Sequence, residues 1–360
     1  MQFFQKSILS ALVFAGSLNA FVTRRQVNNA PGAVLNVTDD SNAPTISDVP
    51  STETVIPSIT LGGSPIGGQL TLTTIGKGKF DIASADDIEI IVDLVSLQID
   101  VVESTDGTIS FPYEVQTSDP SEKVEDIFDI TVQKGGDGSK TQVKVESKKK
   151  IRTGSYQAKV LSKLMVPKQS TTALKKVNLS SKTGSMVFNN KLVTMGSLTI
   201  STAVGSVHAI GWKSSSFSGT SQTGSLYIDG ETDTADLNIS TGSFHGALKG
   251  YSTLKAKVDT GSIYADLDPK ASSKNTIDTS MGSSFLTISK NFSGKFSVSN
   301  SMGAKPSITG SDVKIDGSDG DKPNNPFSMM NKKTTTGHVR EGESTLDVTS
   351  NMGSCRITFN

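Results

Sequence analysis

Five ring-bearing residues recur at one position of a repeating pattern: His208, Tyr227, His245, Tyr264 and Phe285. Each stands three residues after a glycine, on consecutive repeats. Rings at a repeating position stack into a ladder that stabilises neighbouring strands. Exposed aromatic patches also mark contact surfaces. The residues alone leave both readings open, and these five are the candidate binding residues. The fitting ligand classes are an extracellular glycan or a surface protein. Metal binding is not expected: His208 and His245 lie two repeats apart, about 9.6 Å at strand spacing, too far to share one ion.

Catalytic chemistry, if present, would fall to the carboxylates. Glycoside chemistry needs two acids at one spot. Asp259 and Asp278 stand two and four residues before their own glycines, so they do not align without a bulge. Asp229 and Asp266 share a position, but Ala247 holds it on the repeat between. There is no glycine-rich phosphate loop, no histidine-carboxylate zinc motif and no nucleophile elbow. No catalytic residue and no cofactor is expected. Asp316-Gly317-Ser318-Asp319-Gly320-Asp321 lacks the closing glutamate of a calcium loop and reads as an acidic turn. Cys355, the single cysteine, falls at an apolar position and reads as a buried, inert thiol.

The elements that must position these residues follow from the repeat. A triplet ending Gly-Ser or similar recurs at Gly184, Gly205, Gly224, Gly242, Gly261, Gly282 and Gly303, with steps of 21, 19, 18, 19, 21 and 21 residues. Further copies stand at Gly337 and Gly353, and Gly196 is out of phase. A steady step near twenty predicts an all-β fold: a right-handed parallel β-solenoid, or β-helix, with about 20-residue rungs. Glycine serves the corner because it reaches backbone angles that other residues avoid. The serine after it is placed to form a hydrogen-bonded ladder along the stack. Two residues after the glycine stand Met186, Val207, Leu226, Phe244, Ile263, Val339 and Cys355, an apolar column predicted to point inward. Ser284 and Lys305 interrupt it. Alternation then turns the ring column outward.

The remainder gives the organisation. Lys6, the apolar run from Ile8 to Phe14 and Leu18-Asn19-Ala20 read as a secretory signal over residues 1–20. Residues 21–60 read as a disordered linker, rich in Pro, Ser, Thr and Asp. Residues 61–165 are a β-rich segment, a cap or early rungs. Residues 166–360 hold the repeats, with a polar insertion near 310–333 expected to fold over an open end. Self-association through the ends of the stack is the alternative. Asn36, Asn178, Asn238 and Asn291 begin N-x-S/T sequons. Formal net charge is zero, so neither nucleic acid nor an anionic surface is favoured. No apolar stretch is long enough to span a bilayer. Hydrophobic residues make up only 34%, which suits a thin core repeated many times.

Lys163-Leu164-Met165-Val166-Pro167, Val177-Asn178-Leu179-Ser180, Thr183-Gly184-Ser185 and the repeated x-Gly-Ser-apolar units resemble the putative-adhesin β-solenoid family of bacteria and secreted fungal proteins. The resemblance covers about residues 70–360. It implies a right-handed parallel β-solenoid and no defined catalytic residues. The function expected is extracellular: adhesion, or a structural role in a cell wall or matrix. A polysaccharide-active β-helix lyase or hydrolase is the rival expectation.

Overall fold

The computed structural model describes residues 72–82, 87–93, 96–105, 107–134, 140–148, 158–167, 174–302, 304–319 and 332–360. All lie in one compact unit, Pro57–Asn360. The signal-like segment, the 21–60 stretch and Asn36 lie outside the described residues.

The described chain is nearly all β. Its first strands are β1 (Thr73–Ile82), β2 (Asp87–Val92), β3 (Ser96–Ser104) and β4 (Ile109–Thr117). A single helical turn, α1 (Val124–Ile127), precedes β5 (Phe128–Lys134), β6 (Lys140–Ser147) and β7 (Ala158–Pro167). Then come β8 (Leu174–Thr183), β9 (Met186–Asn189), β10 (Thr194–Val204), β11 (Val207–Thr223), β12 (Leu226–Thr241), β13 (Phe244–Thr260) and β14 (Ile263–Met281). The last are β15 (Ser284–Ile288), β16 (Gly294–Met302), β17 (Ser307–Gly310), β18 (Val313–Asp319), β19 (Lys333–Val339), β20 (Ser344–Met352) and β21 (Cys355–Phe359).

Two ladders run through these strands, one before the corner glycines and one after. Before the corners, β8, β10, β11, β12, β13 and β14 pair parallel in succession. After them, β9 and the opening residues of β11, β12, β13 and β14 do the same, followed by β15. Thr183, Val204, Thr223, Thr241, Thr260 and Met281 stand opposite one another in turn. These are the residues before each corner, so the sequence period is the spatial register. Alternation supplies the rest: Leu226, Ile228, Leu237 and Ile239 are buried, while Tyr227, Asp229, Asp236 and Asn238 are exposed. Each fully buried aliphatic side chain of this kind stabilises by about 1.5–3 kcal/mol.

The corners close tightly. The N–H groups of Gly205, Gly224, Gly242 and Gly261 each donate to a carbonyl of the neighbouring strand at 2.8 Å. The serines after them form the ladder that the sequence predicts. Ser243 N–H donates to Ser225 Oγ at 3.1 Å, and the pattern continues through Ser262, Ser283 and Ser354. Inside the corner, Ser221 Oγ donates to the Gly224 carbonyl and Ser350 Oγ to that of Gly282.

The order of strands in the sheet departs from the order of the chain at both ends. β20 and β21 do not follow β16 and β17 outward. They insert between earlier strands: β14 pairs with β20 and β20 with β16, while β15 pairs with β21 and β21 with β17, all parallel. Likewise β2 lies between β6 and β8, and β3 between β7 and β9. Antiparallel strands flank the parallel stack. β5 pairs with β6, β4 with β7 and β1 with β4, while β19 pairs with β16 and β18 with β19.

Two sequence expectations change accordingly, and the out-of-phase glycine gains a physical reason. Gly337 is not a corner: it sits inside antiparallel β19 opposite Phe296, whose ring occupies the space a Cβ would need. The true partner of the Gly282 corner is Gly353, whose missing Cβ leaves room for the Gly282 carbonyl. Gly196 lies within β10, where a Cβ would come within 2.4 Å of the Lys175 carbonyl oxygen. Its glycine answers a close backbone approach, so it falls out of phase.

Candidate functional site

The ring column forms on the strand segments that follow each corner. His208 pairs with Tyr227, Tyr227 with His245, His245 with Tyr264, and Tyr264 with Phe285. The centroid separations are 4.3, 5.0, 4.9 and 5.0 Å, with interplanar angles of 12°, 11°, 7° and 9°. Five rings therefore make one uninterrupted stack across five adjacent strands. Their inner neighbours Val207, Leu226, Phe244, Ile263 and Ser284 are buried, which fixes the rings on the outer side.

Near-parallel stacking decides what solvent meets. The ring faces are occupied by one another, so the outward surface is a row of ring edges. Tyr227 is 37% exposed and Tyr264 43%. The histidines are half-buried, and burial lowers the pKa of both His208 and His245 below the ordinary 6.5. Burial thus favours the uncharged imidazole at both positions, which suits stacking against phenol rings. In register, Val187 stands at one end of the column and Arg356 at the other.

The neighbouring outward column holds Asn189, Ile210, Asp229, Ala247, Asp266, Thr287 and Thr358. Asp229 and Asp266 stand two strands apart, about 9.6 Å at strand spacing. Lys249 Nζ lies 3.9 Å from Asp229 Oδ1. Asp259 and Asp278 are not brought together: Asp278 pairs with Lys257, which itself bridges Asp259 at 3.0 Å.

The sequon residues differ in setting. Asn178 is half-buried in β8, and its amide donates to Asp87 Oδ1 at 3.2 Å. Asn238 is exposed in mid-β12. Asn291 is exposed in the turn after β15, with its amide donating to Asp268 Oδ1 at 2.7 Å. Cys355 is buried, and burial raises its thiol pKa to about 11. Among the described residues no group of three or more His, Cys, Asp or Glu side chains is placed to hold a metal. No helix among them is long and apolar enough to cross a membrane.

Ser284 is where the apolar column changes character without changing direction. It is fully buried and shares a 2.9 Å hydrogen bond with the buried Thr279 hydroxyl. Lys305 is exposed and does leave the column.

No protein-family model matches the chain. No curated protein matches it either. Solved structures with likeness include a putative adhesin from Bacteroides fragilis, 15% identical, TM-score 0.44, covering 79% of this chain and 97% of that one. A putative adhesin from Parabacteroides distasonis is 12% identical, TM-score 0.38, covering 81% and 97%. A putative cell adhesion protein from Clostridium sporogenes is 9% identical, TM-score 0.30, covering 81% and 100%.

Proposed function

We propose that this chain is a secreted, non-catalytic surface-binding protein, adhesin-like or structural in a cell wall. It binds through the outer face that carries the ring stack. The architecture we infer is a right-handed parallel β-solenoid with rungs of about 20 residues, supported by the in-register parallel pairing and the recurrent corners. The organisation from the sequence completes the reading: a signal at 1–20, a linker at 21–60, a β-rich segment at 61–165 and repeats over 166–360. Glycans are carried at Asn238 and Asn291, whose side chains are exposed.

The observation that carries the proposal is the five-ring stack with Tyr227 and Tyr264 reaching solvent. Stability alone needs stacked faces. It does not need phenol edges, which could donate and accept hydrogen bonds about 9.6 Å apart, two strand spacings, along an extended ligand. A glycan or a surface protein would meet these edges rather than lie flat on a ring. The test is pull-down of the secreted protein on insoluble polysaccharides and on intact cells, against Tyr227→Ala/Tyr264→Ala. Circular dichroism first shows the variant to be folded. Loss of binding in the folded variant supports the reading; unchanged binding, or none in either protein, overturns it.

The enzymatic reading keeps one specific support, because Asp229 and Asp266 flank Ala247 beside the same ring face. Release of reducing ends or unsaturated sugars from a polysaccharide, lost in Asp229→Asn, would replace the binding reading with this one.

A further inference from the structure

The residue just before each corner glycine forms its own column. On most rungs it is Thr or Val: Thr183, Val204, Thr223, Thr241 and Thr260. On three rungs it is methionine: Met281, Met302 and Met352. In the chain these are separated by 21 and 50 residues. In the fold they are consecutive, because β20 inserts between β14 and β16. Met281 pairs with Met352, and Met352 with Met302. The backbone confirms the contact order: Gly282 N–H donates to the Met352 carbonyl at 2.7 Å, and Gly353 N–H to that of Met302 at 3.4 Å.

All three side chains face solvent, at 47%, 41% and 44% exposure. Corner packing does not require them, since threonine serves the same place on the neighbouring rungs. Three long apolar side chains left side by side in water therefore need another reason. Methionine carries three rotatable bonds and a polarisable thioether. Neighbouring strands lie about 4.8 Å apart, so the two outer sulfurs have only to lean toward the middle one to meet. Uncharged thioethers are poor ligands for hard cations and select soft monovalent ones.

We propose that Met281, Met352 and Met302 form a surface site for a soft monovalent cation, Cu(I) or Ag(I), bound by their three sulfurs. The rigid corner beneath them, with its backbone and serine hydrogen bonds, sets the spacing of the three stems. The site is separate from the ring stack and does not rest on the binding proposal.

The test is competition for Ag(I) and, under reductant, for Cu(I), using a chromophoric chelator with the full chain. Replacement by leucine keeps size and apolarity but removes sulfur. Wild type is expected to withdraw one equivalent of metal. Met352→Leu should weaken binding at least tenfold, and Met281→Leu/Met302→Leu/Met352→Leu should abolish it with an unchanged melting temperature. Cys355→Ala, which removes the competing soft ligand, should bind as wild type does. The proposal is overturned if wild type withdraws no stoichiometric metal, if the triple variant binds as well as wild type, or if binding disappears with Cys355 alone.

Discussion

Gly242 has φ +142°, and a Cβ there would stand 2.0 Å from the Gly224 carbonyl oxygen. Both backbone angle and space exclude a side chain. Gly242→Ala should therefore cost about 2 kcal/mol or more. Gly107 also has a positive φ, +73°, but nothing lies within 4 Å of its missing Cβ. Gly107→Ala should cost only about 1 kcal/mol, from backbone angle alone. Urea midpoints compare the two, and equal losses would refute the account of the corners. Histidine gives a second residue-scale prediction. His208 and His245 have folded pKa values below 6.5 because burial disfavours the charged ring. The unfolded chain then binds more protons than the folded one as pH falls below 6.5. Stability is full above that value and is lost as pH falls through the lowered folded pKa. Melting temperature against pH should show this decline, and His208→Phe/His245→Phe should flatten it. An identical profile in that variant would assign the acid sensitivity to other groups.

Strand β14 and its neighbour β15 carry a polar pair inside an apolar column. Removing one hydroxyl leaves the other buried without its partner. Ser284→Ala alone should cost about 1–3 kcal/mol. Adding Thr279→Val should cost less than the sum of the single changes, because the two groups share one interaction. Chemical denaturation of the two single variants and the double variant measures that coupling, and simple additivity would deny it. The same element shows what was readable from sequence. The step near twenty and the alternation within β11 to β14 placed the ring column on the outer side, since period-two geometry leaves no other choice. The burial of Ser284 was not readable. A serine breaks an apolar pattern by type, and only its position opposite Ile263 and its bond to Thr279 keep it inside.

At the scale of the whole stack, the last strands of the chain are interior strands. β20 has β14 on one side and β16 on the other, whereas β18 pairs with β19 alone among the described residues. Amide hydrogen exchange should therefore protect Leu346 and Val348 as strongly as Leu254 and Val258 of β13, and Lys314 and Ile315 of β18 far less. Fast exchange at Leu346 would place β20 at an edge and break the inserted order. That order is also what makes neighbours of Met281, Met352 and Met302. Local pattern determined the strands, the glycine corners, the serine ladder, the inward column and the stacked rings, because each depends on spacings within one or two sequence repeats. Tertiary structure alone decided that the first and last strand pairs insert one place inward, that Gly337 admits the Phe296 ring, and that three methionines stand in register on adjacent strands. Parallel strands pair through backbone groups common to every residue, so a strand carries no sequence label for its neighbour. The neighbour is chosen by how whole repeats pack and which strand edges remain to be covered.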